Sequence, residues 1–169
     1  MERLSSPATR SSVQGFLTIH SAPSALRRHI DWALQNILGI TMQVVWHSQP
    51  LLPGTFKSAI SWRDAEGKAA EIASTLRSWH YLNFEVHERN DNGGELFRFT
   101  PELGIHRALT DLSGAVLLNE NQVSEVLRNA FDEDAIRQAI AQILGNAWDA
   151  ELERFRGAGM QEISHLRAI

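Results

Sequence analysis

Cysteine is missing from this chain of 169 residues. That excludes a disulfide scaffold, a cysteine-built zinc or iron–sulfur site and a cysteine nucleophile. Lysine is nearly missing too, with Lys57 and Lys68 the only lysines among 16 basic residues. Net charge is −4, and no basic stripe of the kind that tracks nucleic acid is visible in the order of residues. Nucleic acid is therefore not an expected partner. No apolar run approaches the roughly 18 residues of a membrane span. Residues Met1 to Gln14 are polar and serine-rich, without the apolar stretch of a secretory signal. A flexible arm over residues 1–14 of a cytoplasmic protein is the expectation. The sequence also lacks a Gly-x-Gly-x-x-Gly fingerprint, a Walker loop and a Gly-x-Ser-x-Gly elbow. Dinucleotide enzymes, nucleotide hydrolases and serine hydrolases thereby lose their main supports, and no cofactor is expected.

What remains has an ordinary globular balance, 43% apolar and 21% charged. A chain of this size buries roughly 70% of its unfolded surface, enough for one domain over residues 15–169. Gly15 to His20 reads as a first strand. A helix follows Pro23, with Leu26, Ile30, Ala33, Leu34 and Ile37 at helical spacing and Gly39 as its stop. Met42 to His47 and Thr55 to Trp62 read as strands around a rigid Ser48 to Gly54 loop. A second helix carries Ala69, Ile72, Ala73, Leu76 and Trp79, and Leu82 to His87 is a fourth strand. The order β-α-β-β-α-β predicts an α+β fold: a ferredoxin-like antiparallel sheet with both helices on one face. Extra strands are predicted from Glu95 to Thr100 and as a hairpin over Ile105–Asp111 and Ala115–Glu120. After a short helix to Ala130, a long C-terminal helix is predicted from about Asp132 to Arg156, ended by Gly157 and Gly159.

Histidine offers the first chemistry. His20, His47 and His87 each end a predicted strand, out of phase with its apolar residues. Thr18, Gln43, Lys57, Asn83 and Glu85 share that phase. Together they describe a polar sheet face opposite the helices, either a ligand or metal site or a solvated or partly covered face. No pair has the spacing of a helical zinc site, so no metal is expected. In a ferredoxin-like order the first and fourth strands are neighbours, which brings His20 towards Asn83 or Glu85. A carboxylate beside a histidine fixes its tautomer, as it does for general bases; a purely structural hydrogen bond has the same geometry. His20 and Glu85 are thus the candidate catalytic pair.

The second candidate is a surface. The five tryptophans, Trp32, Trp46, Trp62, Trp79 and Trp148, fall on or beside apolar stripes and read as core. Trp46 with Gln49, Pro50, Leu51, Leu52 and Pro53 could instead edge an apolar groove for a protein or an acyl chain. Two prolines stiffen that loop and reduce the entropy it loses on binding.

Several dispersed motifs occur in one order. They are Ile19-His20-x-x-Pro23, His29-x-x-Trp32-Ala33-Leu34 and Trp46-x-x-Gln49-Pro50-x-x-Pro53-Gly54. Further on come Leu76-Arg77-Ser78-Trp79 ahead of Phe84-Glu85-Val86, then Arg98-Phe99-Thr100-Pro101-x-Leu103-Gly104. The last is Leu144-Gly145-x-Ala147-Trp148-Asp149 ahead of Leu152-Glu153. Over Gly15 to about Arg156 this pattern resembles an actinobacterial family known as domain of unknown function 3145. The resemblance implies no catalytic residue and no cofactor, and it implies a link with fatty-acid metabolism. Three functions follow as expectations. The first is a non-enzymatic binding or regulatory module. The second is a small enzyme using His20 and Glu85 on an acyl or thioester substrate. The third is a structural partner docking through residues 49–54. Neither the partner nor the oligomeric state is readable from the sequence.

Overall fold

The computed structural model describes residues 13–39, 41–64 and 66–166. Among them are the strands β1 (Val13–Pro23), β2 (His47–Ser48), β3 (Thr55–Asp64), β4 (Asn83–Asn90), β5 (Gly93–Thr100), β6 (Gly104–Thr110) and β7 (Val116–Leu117). The helices are α1 (Arg27–Leu38), α2 (Lys68–Leu76), α3 (Glu120–Asn129), α4 (Glu133–Leu144) and α5 (Asn146–Leu166). The strands form one antiparallel sheet in the order β2-β3-β1-β4-β5-β6-β7. The fold is therefore mixed α+β. Its seven-strand order is not that of the four-stranded ferredoxin-like sheet, because β5, β6 and β7 continue past β4 by successive antiparallel pairings.

One face of the sheet is dry because its residues alternate with period two. Leu17 and Ile19 of β1, Ile60 and Trp62 of β3, Phe84 and Val86 of β4, and Phe97 and Phe99 of β5 are all buried there. Against them pack Ile30, Leu34 and Ile37 of α1 and Ala69, Ile72, Ala73 and Leu76 of α2. Both sets recur at the three- and four-residue spacing of one helix face. The N-terminus of α2 is fixed by a carboxylate from the sheet. Glu88 of β4, itself buried, accepts hydrogen bonds from the Gly67 and Ala69 amides at 2.6 and 2.9 Å. Those amides have no partner inside the helix, and their dipole favours an anion.

The opposite face is partly covered, because α5 crosses it and packs on β1 and β5. Trp148, Leu152 and Phe155 of α5 are buried, as are Leu96, His106 and Ala108 of the strands. The single helix expected over 132–156 is broken at Gly145, which has a φ of +74°. A side chain there would also meet the His106 ring at 2.5 Å. Gly157 and Gly159 do not end the helix, whose backbone runs on to Leu166.

Other expectations change in detail. Residues 1–12 of the expected arm lie outside the described residues, while Val13 and Gln14 belong to β1. The Met42–His47 strand contracts to His47–Ser48, the only residues there paired with β3. Trp79 lies beyond the end of α2 and is half-buried, and Trp32 is 72% exposed on the outer side of α1.

Gly15 allows the closest packing in the sheet. Its cross-strand partner is Trp62, and a Cβ on residue 15 would fall 2.0 Å from the indole Cε2. Gly15→Ala should therefore displace a buried ring and destabilise the protein by about 1–3 kcal/mol, the usual cost of overpacking. Urea unfolding followed by tryptophan fluorescence measures this. An unchanged midpoint would show that Trp62 is not seated over Gly15.

Candidate functional site

The site grows from an irregularity in β1. The register of β1 shifts after Ile19 against both neighbouring strands. A bulge of this kind re-aims a side chain, here that of His20. Because β1 lies beside β4, the His20 ring reaches Glu85, with Nε2 3.0 Å from Oε1. Asn83, the alternative neighbour, instead donates to the Ser21 hydroxyl at 2.8 Å.

A third residue completes the group. Arg156 of α5 grips Glu85 with two parallel hydrogen bonds, from Nε to Oε1 at 3.0 Å and from Nη2 to Oε2 at 2.7 Å. Its Nη1 donates to Asp149 and Glu153, both at 2.9 Å, on the same side of α5. Next to it, Phe155 stacks on the His20 ring with centroids 5.8 Å apart. Burial pushes the Glu85 carboxyl up, but hydrogen bonds from His20 and Arg156, with their charges, outweigh it and hold it at about 2. The Arg156 guanidinium is pushed up in turn, chiefly by its hydrogen bonds to Glu85. Glu85 is thus a carboxylate at neutral pH and can only accept. His20 must then donate from Nε2.

These residues line a cleft of about 320 Å³. His47 and Lys57, cross-strand partners on β2 and β3, stand on its other side, with Thr18 and Ala59 between. Gln49 closes the floor. It is buried, and its amide donates to the His20 carbonyl at 2.6 Å while its oxygen accepts from the Leu51 amide at 3.2 Å.

The residues expected to form one docking surface are therefore divided. Gln49 faces inward to the cleft. Trp46 is half-buried, and its indole N–H donates to Asp31 of α1 at 2.8 Å. Pro50, Leu51, Leu52 and Pro53 remain exposed, with Leu51 at 45% and Leu52 at 37%.

The three strand-end histidines do not converge. His20 and His47 share the cleft, whereas His87 bonds to the Thr110 hydroxyl at 3.0 Å. Burial, then the charge of Arg89, lowers the His87 pKa, so the ring is neutral at pH 7. Among the described residues, no group of three or more His, Asp or Glu could hold a metal ion.

Sequence reasoning missed Arg156 and read Phe155 only as core. A signal was present: Asp149, Glu153 and Arg156 are spaced four and three apart on one side of a helix, adjoining the apolar stripe that ends at Phe155.

Comparison with known proteins adds one match. A model of the family described as "Protein of unknown function (DUF3145)" matches residues 16–167. No curated protein and no solved structure matches the chain.

The Glu85 pKa has a testable sign. Its folded value lies below its ordinary value of 4.5, so its contribution to stability is complete above that pH. It is lost as pH falls from 4.5 towards 2. The full contribution is about 3 kcal/mol. Urea midpoints measured across this range should fall steeply for the wild type and flatten for Glu85→Gln. Parallel slopes would show that His20 and Arg156 do not hold the Glu85 carboxyl below its ordinary range.

Proposed function

Because the chain belongs to DUF3145, a family of proteins of unknown function, its role has to be read from its own site, and we propose a non-enzymatic binding module whose cleft takes a small acyl ligand with an anionic head. The observation that carries this reading is the engagement of Glu85. Both its oxygens are spent on Arg156 and one also on His20, so the carboxylate ties α5 to the sheet and is not available as a base. Among the described residues no side-chain hydroxyl is hydrogen-bonded to His20, and Ser58 on the cleft wall gives its hydroxyl proton to the Val45 carbonyl.

The lining suits a molecule with two unlike ends. Lys57 supplies a positive charge and His47 an imidazole on one side, and Phe155 with Ala59 supplies an apolar wall. A volume of about 320 Å³ is at the small end for ligand pockets, which points to a short chain. An acyl ligand also agrees with the link to fatty-acid metabolism that the family resemblance implies. The exposed Leu51 and Leu52 extend the apolar rim beyond Gln49, and a protein that delivers the ligand would dock there. For the βαββαβ half, the order β2-β3-β1-β4 supports reading it as a ferredoxin-like unit to which β5, β6 and β7 are added.

A second reading keeps one observation in its favour. His20 is held in a single tautomer by a carboxylate, the arrangement of a general base. On that reading the module is a small enzyme acting on a thioester.

Titration of ¹⁵N-labelled protein with hexanoate tests the first reading. The amide signals of His20, Ala59 and Arg156 should move together, and Lys57→Gln should weaken binding about tenfold, the worth of one charge-assisted hydrogen bond. Shifts confined to other parts of the sheet would end the proposal. Incubation with S-butyryl-N-acetylcysteamine separates the second reading. Thiol release that depends on His20 would make the protein an enzyme; intact thioester keeps it a binder.

A further inference from the structure

At the other end of the same sheet face, two arginines distant in sequence fall into one row. Arg63 of β3 lies opposite Gln14 of β1, and Gln14 lies opposite Arg89 of β4. Neighbouring strands run about 4.8 Å apart, so the two arginine α-carbons are about 10 Å apart across β1. Alternation along β1 and β4 puts this row in phase with Thr18 and Glu85, on the face that α5 crosses farther along. Both arginines are exposed. Arg89 donates to the Gln14 amide oxygen at 3.0 Å. Among the described residues, no carboxylate lies within ion-pair distance of either. The recess between them, about 370 Å³, is lined also by Asn90, Asp91 and Leu112.

The next row inward presents an aromatic ring. Phe16 stands between Ser61 and His87 and is 37% exposed. The Arg89 guanidinium lies 5.6 Å from its centroid, a loose contact that leaves ring surface open.

We propose that this end of the sheet binds a mononucleotide, with the phosphate between Arg63 and Arg89 and the base on Phe16. Guanidinium groups match phosphate oxygens in geometry as well as charge. An exposed aromatic on an antiparallel sheet face is a stacking platform for a base. The ligand is a single nucleotide rather than a strand, because this row offers two arginines and the chain carries a net charge of −4. A polynucleotide needs a longer cationic track. The site shares no residue with the acyl cleft, so the two proposals stand or fall separately.

NMR titration of the full chain with AMP, inorganic phosphate and a short oligouridylate tests it. AMP should move the signals of Gln14, Phe16, Arg63 and Arg89, and phosphate should compete with it. Arg63→Gln combined with Arg89→Gln should weaken AMP by about tenfold or more, the loss expected for charge-assisted hydrogen bonds. Phe16→Leu should weaken AMP several-fold and leave phosphate unchanged. The proposal fails if AMP leaves those signals unmoved or if the double variant binds as well as wild type. It fails also if phosphate does not compete in the wild type, a measurement that needs no variant to fold. Oligouridylate binding much more tightly than AMP would replace the mononucleotide with a strand as the occupant.

Discussion

The bidentate pair between Glu85 and Arg156 is the contact on which the second half of the molecule depends. The dry core between the sheet and helices α1 and α2 is complete without it. Among the described residues of helix α5, Trp148, Leu152 and Phe155 are the buried large side chains. The arginine adds a directional bond where α5 passes over β4. Such a pair gains little net free energy over an apolar contact of the same size, because both ions give up water. What it contributes is position. It sets Phe155 on the His20 ring and so fixes one wall of the cleft.

A second polar set does the same work farther back along α5. Arg98 of β5 bonds to Asp149 at 3.1 Å, and the Trp148 indole donates to the Gly104 carbonyl at 2.9 Å. His106 donates from Nε2 to the Ile143 carbonyl at 2.9 Å, and its ring lies 4.8 Å from Trp148. The face under α5 is thus held by hydrogen bonds of fixed geometry as much as by apolar contact. Of the residues read as a polar sheet face, His20 and Asn83 are buried, whereas Gln43 and His47 remain exposed.

This explains which parts were legible in the sequence. Helices α1 and α2 were visible because Ile30, Leu34 and Ile37, and Ala69, Ile72, Ala73 and Leu76, repeat at helical spacing. The approach of His20 to Glu85 followed once the first and fourth strands were placed side by side. The course of α5 was not legible. Its contacts with the sheet join residues far apart in sequence, 44 positions for Trp148 with Gly104 and 71 for Arg156 with Glu85, and a polar strand face has the same pattern whether water or an amphipathic helix covers it. The break at Gly145 was hidden for a related reason. A glycine within an apolar helical repeat reads as a tolerated defect until the His106 ring beneath it is known. Gln49 was taken for a surface residue because its neighbours Pro50 and Leu51 are; only the fold shows its amide turned towards the His20 backbone.

Two of the close-packed glycines, Gly15 and Gly145, differ in what descent can do with them. At Gly15 the backbone is ordinary and the obstacle is the Trp62 ring alone. A larger residue there becomes acceptable once residue 62 shrinks, so the two positions should vary as a pair among related chains. At Gly145 the ring of His106 and the positive φ act together. Shrinking residue 106 removes the collision and leaves the left-handed backbone, which side chains disfavour. No single partner can compensate there, so position 145 should stay glycine while position 106 drifts beside it. The joint between α4 and α5 is in that sense a historical fixed point, and the seat of Trp62 a negotiable one.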